Sequence, residues 1–145
     1  MGPILDSSVL IAAERKGETV AQLLKRVLAV MGNQETALSA VALVEFVHGI
    51  YRANTPQVRT RREAFIQELL ADVPVYPFTE PIALLAGRVD AEQQSQGVKI
   101  PFQDLLIGAT ALHLEYAVVT GNPRHFRMIP GLVVKDLRGA ASSGS

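Results

Sequence analysis

Residues 97–112 read GVKIPFQDLLIGATAL, a segment that is hydrophobic on almost every side after Asp104. Hydrophobicity on all faces predicts a helix buried inside a larger core rather than one that lies on a surface. Gly97 and Pro101 mark its beginning, because glycine ends a preceding helix and proline is favoured in a first helical turn. A carboxylate at the head of such a helix needs a partner, since burying an isolated charge is costly.

The composition of the whole chain indicates what kind of domain contains this segment. The chain has 145 residues, of which 48% are hydrophobic, enough for one domain with a sizeable core. We expect this domain to span residues 1–137, and residues 138–145 (RGAASSGS) to form a disordered tail. The sequence contains no cysteine, which excludes disulfides, thiolate ligands and cysteine nucleophiles.

The charge balance and the hydropathy pattern exclude two further classes of protein. Lys and Arg number 14 in total, as do Asp and Glu, so the net charge predicts no strong, indiscriminate attraction to nucleic acid. No apolar run reaches the roughly 18 residues of a membrane span, and Asp6 comes too early for the core of a signal peptide. We therefore expect a cytoplasmic protein with no membrane partner.

Short apolar segments alternate with helical periodicity along the chain. Strands are predicted at 2–5, 36–38, 73–76, 116–119 and 132–134. Helices are predicted at 7–15, 18–31, 40–53, 55–71, 79–96 and from 101 onward. This alternation favours an α/β domain with a mostly parallel central sheet.

Three carboxylates stand out against this pattern. Asp6 directly follows the first strand, whereas Glu45 and Asp104 lie in apolar helices. Each has an ordinary explanation: Asp6 as a helix N-cap, Glu45 as an exposed helical residue, and Asp104 as a charge favoured by the helix dipole. Together, at the ligand-binding edge of a parallel sheet, they match the hard oxygen ligands of Mg²⁺ or Mn²⁺. That combination predicts a nuclease or phosphatase.

The residues around these carboxylates resemble the PIN-domain family, and most closely its VapC-type toxins. The resemblance rests on ILDSSVLI with Asp6, SAVALVEFVHGI with Glu45 and GVKIPFQDLLIGATAL with Asp104, followed by VVTGNPRHFRMIPGL. These segments and their intervals span residues 3–137. The resemblance implies a PIN-like three-layer α/β fold, with a central, mostly parallel, twisted sheet flanked by helices.

The resemblance also implies an activity, a cofactor and partners. Members of this family are divalent-metal-dependent endoribonucleases, and the VapC-type members are toxins of type II toxin–antitoxin systems. They are silenced by a cognate antitoxin protein and usually form homodimers. On this basis Asp6, Glu45 and Asp104 are expected to be both the metal ligands and the catalytic acids, with Mg²⁺ or Mn²⁺ as cofactor and RNA as substrate.

Supporting side chains are expected in two places beside these acids. Ser7 follows Asp6 directly, and no histidine arrangement favours it as the nucleophile of a triad, so we expect it to support the acids instead. Thr120 and Asn122 follow the fourth strand, and the resemblance implies that they lie next to the metal ligands.

The turn TGNPRHF departs from the family at one position. Many relatives have an acid where this chain has His125, which leaves open whether a second metal is bound. A neutral imidazole can bind a metal or orient a water, whereas a protonated one repels the ion and attracts a phosphate. Arg124 and Arg127 flank His125, and we expect them to hold a substrate phosphate.

Two surface features could bind a partner. Arg59, Arg61 and Arg62 are typical of a solvated helix face, but they could also follow an RNA backbone or meet an acidic protein. The apolar helix segments VALVEFVHGI and FIQELLA provide more hydrophobic surface than is needed to cover a small sheet. This surplus suggests dimer or partner surfaces, although an ordinary buried core explains part of it.

Two other functions remain open. A PIN-fold binding module with weak or no cleavage activity would keep the same fold without the fourth acid. A receiver-like phosphoacceptor also has acids at strand ends in a doubly wound domain. It requires a lysine soon after a late strand, and the first lysine after Val119 is Lys135.

Overall fold

The computed structural model describes residues 2–138, in which short strands alternate with helices. The strands are β1 (Pro3–Leu5), β2 (Ala37–Ser39), β3 (Val75–Tyr76), β4 (Ala117–Thr120) and β5 (Val134–Asp136). The α-helices are α1 (Ser7–Arg15), α2 (Val20–Met31), α3 (Ala40–Tyr51), α4 (Pro56–Asp72), α5 (Glu80–Ser95) and α6 (Phe102–Leu114), and a 3₁₀ turn covers Phe126–Met128. The tail expected at 138–145 lies outside the described residues except for Arg138.

All five strands pair in parallel, in the order β3-β2-β1-β4-β5. The predicted α/β fold with a parallel central sheet is therefore confirmed. Strand β1 is central, with β2 on one side and β4 on the other. The strand order reverses at this point, and in doubly wound sheets the crevice at such a switch point is where ligands bind.

Alternating residues of the strands face two separate layers of core. Leu5 and Val119 face the layer that contains α1, α2 and α4. Ile4 and Val118 face the opposite layer, against Ile107 of α6. The period of two along each strand thus places helices on both faces of the sheet, which gives three layers.

Helix α6 is buried between the sheet and α5, as its sequence predicts. Ile107 and Ala111 pack toward the sheet, and Leu105 and Ala109 pack toward α5. At Gly108 an added Cβ atom would lie 2.3 Å from the terminal methyl of Ile129, so a larger residue would require the Ile129 side chain to move. Helix α6 therefore holds Asp104 on a rigid element.

Local capping residues fix the beginnings of the helices. Thr19 forms a capping box with Gln22 at the start of α2. Ser39 and Thr55 each accept a hydrogen bond from a backbone N–H in the first turn of α3 and α4. Because Ser39 ends β2 and begins α3, it fixes the rotation of the helix that carries Glu45.

The two edge strands begin later than the sequence predicts. Strand β3 begins at Val75 because the N–H of Val73 still bonds to Leu69 at the end of α4. Strand β5 begins at Val134, whereas the apolar run favours 132–134. Leu132 is instead a loop residue that packs into the core below α6.

Two arginines of the predicted surface on α4 take part in a structural ion-pair cluster. Arg61 and Arg62 both donate to Glu14 of α1, whose side chain is 2% exposed, and Arg62 also donates to the Gly49 carbonyl at 2.7 Å. These two guanidiniums therefore join α1, α3 and α4 within the domain, in addition to lying on the helix face that the sequence predicts. Within residues 2–138, no helix has both the length and the apolar character needed to cross a membrane.

Candidate active site

Asp6 is fixed at the carboxyl end of β1, beside the end of β4. Its backbone N–H donates to the Val119 carbonyl at 3.0 Å, which continues the strand pairing one residue past β1. Its side chain is only 4% exposed, and Thr120, at the end of β4, is completely buried. The sheet thereby brings together two residues that are 114 positions apart in the sequence.

Two hydroxyl groups hold the Asp6 carboxylate. Thr120 Oγ1 donates to Asp6 Oδ2 at 2.9 Å, and Ser8 Oγ donates to the same oxygen at 2.7 Å. The Gly121 N–H donates to Ser8 Oγ at 3.2 Å and fixes that hydroxyl in turn. Asp6 does not cap α1 with its side chain, so the N-cap explanation is wrong for its carboxylate. Within the described part of the chain no donor bonds to its other oxygen, Oδ1.

Glu45 reaches the same edge of the sheet from α3. Ser7 Oγ donates to Glu45 Oε1 at 2.9 Å. Partial burial raises the pKa of Glu45, the hydrogen bond from Ser7 opposes this rise, and the negative charges of Asp6 and Asp104 add to it. Glu45 is thus a partly buried member of a cluster rather than an ordinary exposed helical residue.

Asp104 completes the cluster from the first turn of α6. Burial raises its pKa, a hydrogen bond with His125 lowers it, and the charge of Asp6 raises it further. His125 Nδ1 lies 2.9 Å from Asp104 Oδ2, so the imidazole at the position of the family's fourth acid contacts a carboxylate. Asp104 therefore has a hydrogen-bond partner, His125, and also lies close enough to Asp6 to be affected by its negative charge.

The chemistry of these donors fits a divalent cation. Among residues 2–138, no three His, Asp or Glu side chains converge closely enough to form a ready-made metal site. Each acid is held by its own hydroxyl or imidazole donor, and the acids repel one another through space. Carboxylate oxygens are the ligands that Mg²⁺ and Mn²⁺ prefer, and a cation would offset both the burial and the repulsion.

The other predicted residues lie around this cluster. Asn122 is exposed, and its backbone N–H, rather than its side chain, donates to Thr120 Oγ1 at 2.9 Å. Arg124 and Arg127 are exposed on the turn that carries His125. The positive charge of Arg127 helps to lower the pKa of Asp136, after the larger effect of the hydrogen bonds from Arg138.

Sequence reasoning missed two residues of this region. Ser8, not Ser7, contacts Asp6, while Ser7 contacts Glu45. The signal for Ser8 was its position two residues after Asp6, where a hydroxyl can bond back to a carboxylate. Asp136 ends β5 opposite Thr120 and so lies at the same sheet edge, where Arg138 pairs with it at 2.9 Å.

Large apolar side chains are exposed on three neighbouring helices. Helix α6 contacts both α3 and α5. The exposed fractions are 67% for Val44, 66% for Tyr51, 72% for Leu84 and 67% for Phe102. In the segment FIQELLA, by contrast, Phe65, Ile66 and Leu69 are buried, so an ordinary core explains most of it.

Comparison with known proteins identifies relatives along nearly the whole chain. The family model of the PIN domain matches residues 4–132. Ribonuclease VapC1 of Rickettsia felis is 30% identical over 134 residues, which cover 92% of this chain and 95% of that protein.

Solved structures with the same fold include two VapBC proteins. The structure of VapBC2 from Rickettsia felis bound to a promoter DNA fragment has a TM-score of 0.80 and 22% identity, covering 94% of this chain and 98% of the other. VapBC-5 from Mycobacterium tuberculosis is a member of the VapBC family of toxin–antitoxin systems. Its structure has a TM-score of 0.73 and 23% identity, and the match covers 93% of this chain and 98% of the other. These likenesses show the fold.

Proposed function

Because the chain belongs to the PIN-domain family, we propose that it hydrolyses RNA with a divalent metal ion held by Asp6, Glu45 and Asp104. Its relatives over nearly their full lengths are ribonucleases named VapC, and its fold is that of VapBC complexes. It is accordingly the toxin endoribonuclease of a toxin–antitoxin system. The observation that supports the metal proposal is that the charges of Asp6 and Asp104 both raise the pKa of Glu45, with Asp6 at the switch point of the sheet.

The residues of the chain prepare this site for its reaction. Thr120 and Ser8 fix one oxygen of Asp6, Ser7 fixes Glu45, and His125 contacts Asp104. These contacts hold the carboxylates in place, which reduces the reorganisation needed to bind a cation. When bound, Mg²⁺ or Mn²⁺ supplies an activated water and offsets negative charge on the phosphodiester.

The exposed arginines beside the acids support an RNA substrate. Arg124 and Arg127 lie on either side of His125, and guanidinium groups suit phosphate through paired hydrogen bonds. We propose that they receive phosphates on either side of the scissile bond. We also propose a cytoplasmic location, where a cellular RNA substrate would be found.

Cleavage of a mixed RNA pool tests this function. Purified protein is incubated with Mn²⁺, with Mg²⁺ and with EDTA, beside Asp104→Asn and the matched control Asp72→Asn. Asp72 is an exposed carboxylate at the end of α4. We expect metal-dependent cleavage by the wild type and the control, and a loss of at least about 100-fold in Asp104→Asn, as when a group that stabilises the transition state is removed. Absent cleavage, or equal cleavage by Asp104→Asn, would favour the binding module.

Two protein partners follow from the same family membership. A cognate antitoxin would cover the acidic cleft, and a second copy of the chain would cover exposed apolar side chains of α3, α5 and α6, among them Val44, Leu84 and Phe102. Burying these side chains removes large apolar areas from water. Sedimentation of the wild type as a dimer and of Leu84→Glu as a monomer is the expected result. A monomeric wild type would contradict the homodimer.

A further inference from the structure

A small pocket opens directly beside Asp6, separated from it by one side chain. Its volume is about 210 Å³, and it lies between α1 and the segment after β5. Ser8 lines the pocket and also donates to Asp6 Oδ2 at 2.7 Å. A ligand in this pocket would therefore lie next to the group that bonds to the acidic cluster.

The pocket has an apolar interior and a basic rim. Val9, Ala12 and Leu137 supply the apolar lining. The rest of the lining consists of Ser8, Gly121 and three cationic side chains, which belong to Lys16, Arg26 and Arg138. Pockets that enclose whole small molecules usually measure about 300–1,000 Å³. This smaller volume suits one planar ring system with a negative group at its edge.

Two of the rim arginines are held rigidly by carboxylates. Glu18 accepts from Arg26 Nε at 2.7 Å and from Nη2 at 2.8 Å. Asp136 accepts from Arg138 Nε at 3.2 Å and from Nη2 at 2.9 Å. A guanidinium fixed at its edge keeps its faces available, and single-stranded RNA is bound by stacking bases on such planes. Lys16, exposed at the end of α1, adds a mobile charge that can meet a phosphate.

Gly121 lines the pocket between Ser8 and Arg138. A Cβ atom there would lie 3.8 Å from Ser8 Oγ and 3.9 Å from Arg138 Cγ, which is ordinary contact distance. This part of the pocket wall therefore has room for a ligand atom beside the hydroxyl that bonds to Asp6.

We propose that the pocket receives the base of an RNA nucleotide next to the scissile phosphate, with a neighbouring phosphate near Lys16. The proposal rests on the ribonuclease function and adds a subsite to it. RNA is favoured over a protein segment because Ser8, which lines the pocket, donates to Asp6, and because the rim carries three cationic side chains. The subsite would make cleavage depend on the identity of one base.

Filling the pocket with a larger side chain tests the proposal. Ala12 is exposed on α1 and lines the pocket, so Ala12→Leu fills it without disturbing the core. Ala91→Leu makes the same change at an exposed site of α5, away from the pocket. We expect kcat/KM for RNA to fall roughly tenfold in Ala12→Leu, the loss of about one base contact, with a changed base preference beside the cut. Ala91→Leu should match the wild type.

Cleavage sites are read by sequencing the fragments of a random RNA pool. If the wild type cleaves and Ala12→Leu cleaves the same sites at the same rate, the subsite is refuted while the ribonuclease function stands. If Ala12→Leu weakens only the binding of the antitoxin, the pocket is a protein contact and the proposal is likewise overturned.

A second measurement separates failure of the subsite from failure of the enzyme. Each of the four nucleoside monophosphates is titrated into the full-length protein without metal, and the methyl resonances of Val9 and Leu137 are followed by NMR. Shifts that Ala12→Leu abolishes and Ala91→Leu retains would support the subsite even if no RNA were cleaved. Absent shifts in a protein that also fails to cleave RNA would overturn it.

Discussion

Asp6, Glu45 and Asp104 each accept a hydrogen bond, yet the charges of Asp6 and Asp104 raise the pKa of Glu45, and the charge of Asp6 raises the pKa of Asp104. Ser7 and His125 oppose the pKa rise of Glu45 and Asp104, but burial and neighbouring charges exceed them. Charge on Glu45 and Asp104 is therefore unfavourable in the metal-free chain, and the cation proposed above would offset it. Such a conflict between function and stability is characteristic of active sites.

The substitution Glu45→Gln is expected to raise the free energy of unfolding of the metal-free protein. A carboxyl group whose pKa is higher in the folded state stabilises the fold fully below its unfolded pKa, and this contribution is lost as the pH rises through the folded pKa. At neutral pH the Glu45 charge is therefore unfavourable. Glutamine removes that charge and keeps an oxygen that can accept from Ser7.

Thermal unfolding in EDTA measures this effect. The variant should melt above the wild type near neutral pH, and the difference should shrink toward about pH 4, the ordinary pKa of a carboxyl group. Glu68→Gln, at an exposed site of α4, should show no comparable gain. A Glu45→Gln protein that melted at or below the wild-type temperature near neutral pH would disprove the argument.

The three acids could be placed by sequence because each breaks a local pattern: Asp6 ends a strand, and the other two interrupt apolar helices. The role of Arg61 could not be placed in the same way, because its partner Glu14 is 47 positions away. Local periodicity identifies a buried charge but does not reveal which distant residue neutralises it.

Among the elements, α3 positions Glu45 relative to the sheet, because this helix begins directly after strand β2. Ser39 is both the last residue of β2 and the N-cap of α3, and its side chain is 1% exposed. Its hydroxyl accepts from the Ala42 N–H at 3.1 Å. One residue thus joins the strand to the helix that carries Glu45.

We predict that Ser39→Ala destabilises the protein by about 1–2 kcal/mol, because the substitution leaves a buried backbone donor without its partner. Urea denaturation measures the change. Thr55→Ala removes the equivalent cap of α4 at an exposed site, where water can replace the hydroxyl, and should cost less. Equal losses in the two variants would show that burial of the cap does not matter.

The predicted ends of elements were accurate where a capping residue fixes the first turn of a helix. They differed from the observed ends where packing in the core decides which residues form a strand. Helices α3 and α4 begin within one residue of their predicted starts, directly after the caps Ser39 and Thr55. Strand β5 runs through a lysine and an aspartate at the sheet edge, whereas the apolar residues before it pack from a loop. An edge strand has one open side, so its side chains need not be apolar.

For the whole molecule, metal binding should act as a stabilising ligand. Mn²⁺ at about ten times its Kd is expected to add about 1.4 kcal/mol to the free energy of unfolding. Asp104→Asn should remove this increment, whereas Asp72→Asn should retain it. Thermal melting with and without Mn²⁺ measures the effect independently of cleavage. Equal stabilisation of wild type and Asp104→Asn would place the metal elsewhere.

The hydrogen bond from Thr120 to Asp6 spans 114 positions, and that from Ser7 to Glu45 spans 38. Strand β1 is made first but acquires its neighbour β4 only after most of the chain has been synthesised. An unfinished chain on the ribosome therefore holds Asp6 without the strand that positions it. The capacity to cut RNA appears late in translation, and a chain stopped before β4 is an inactive fragment.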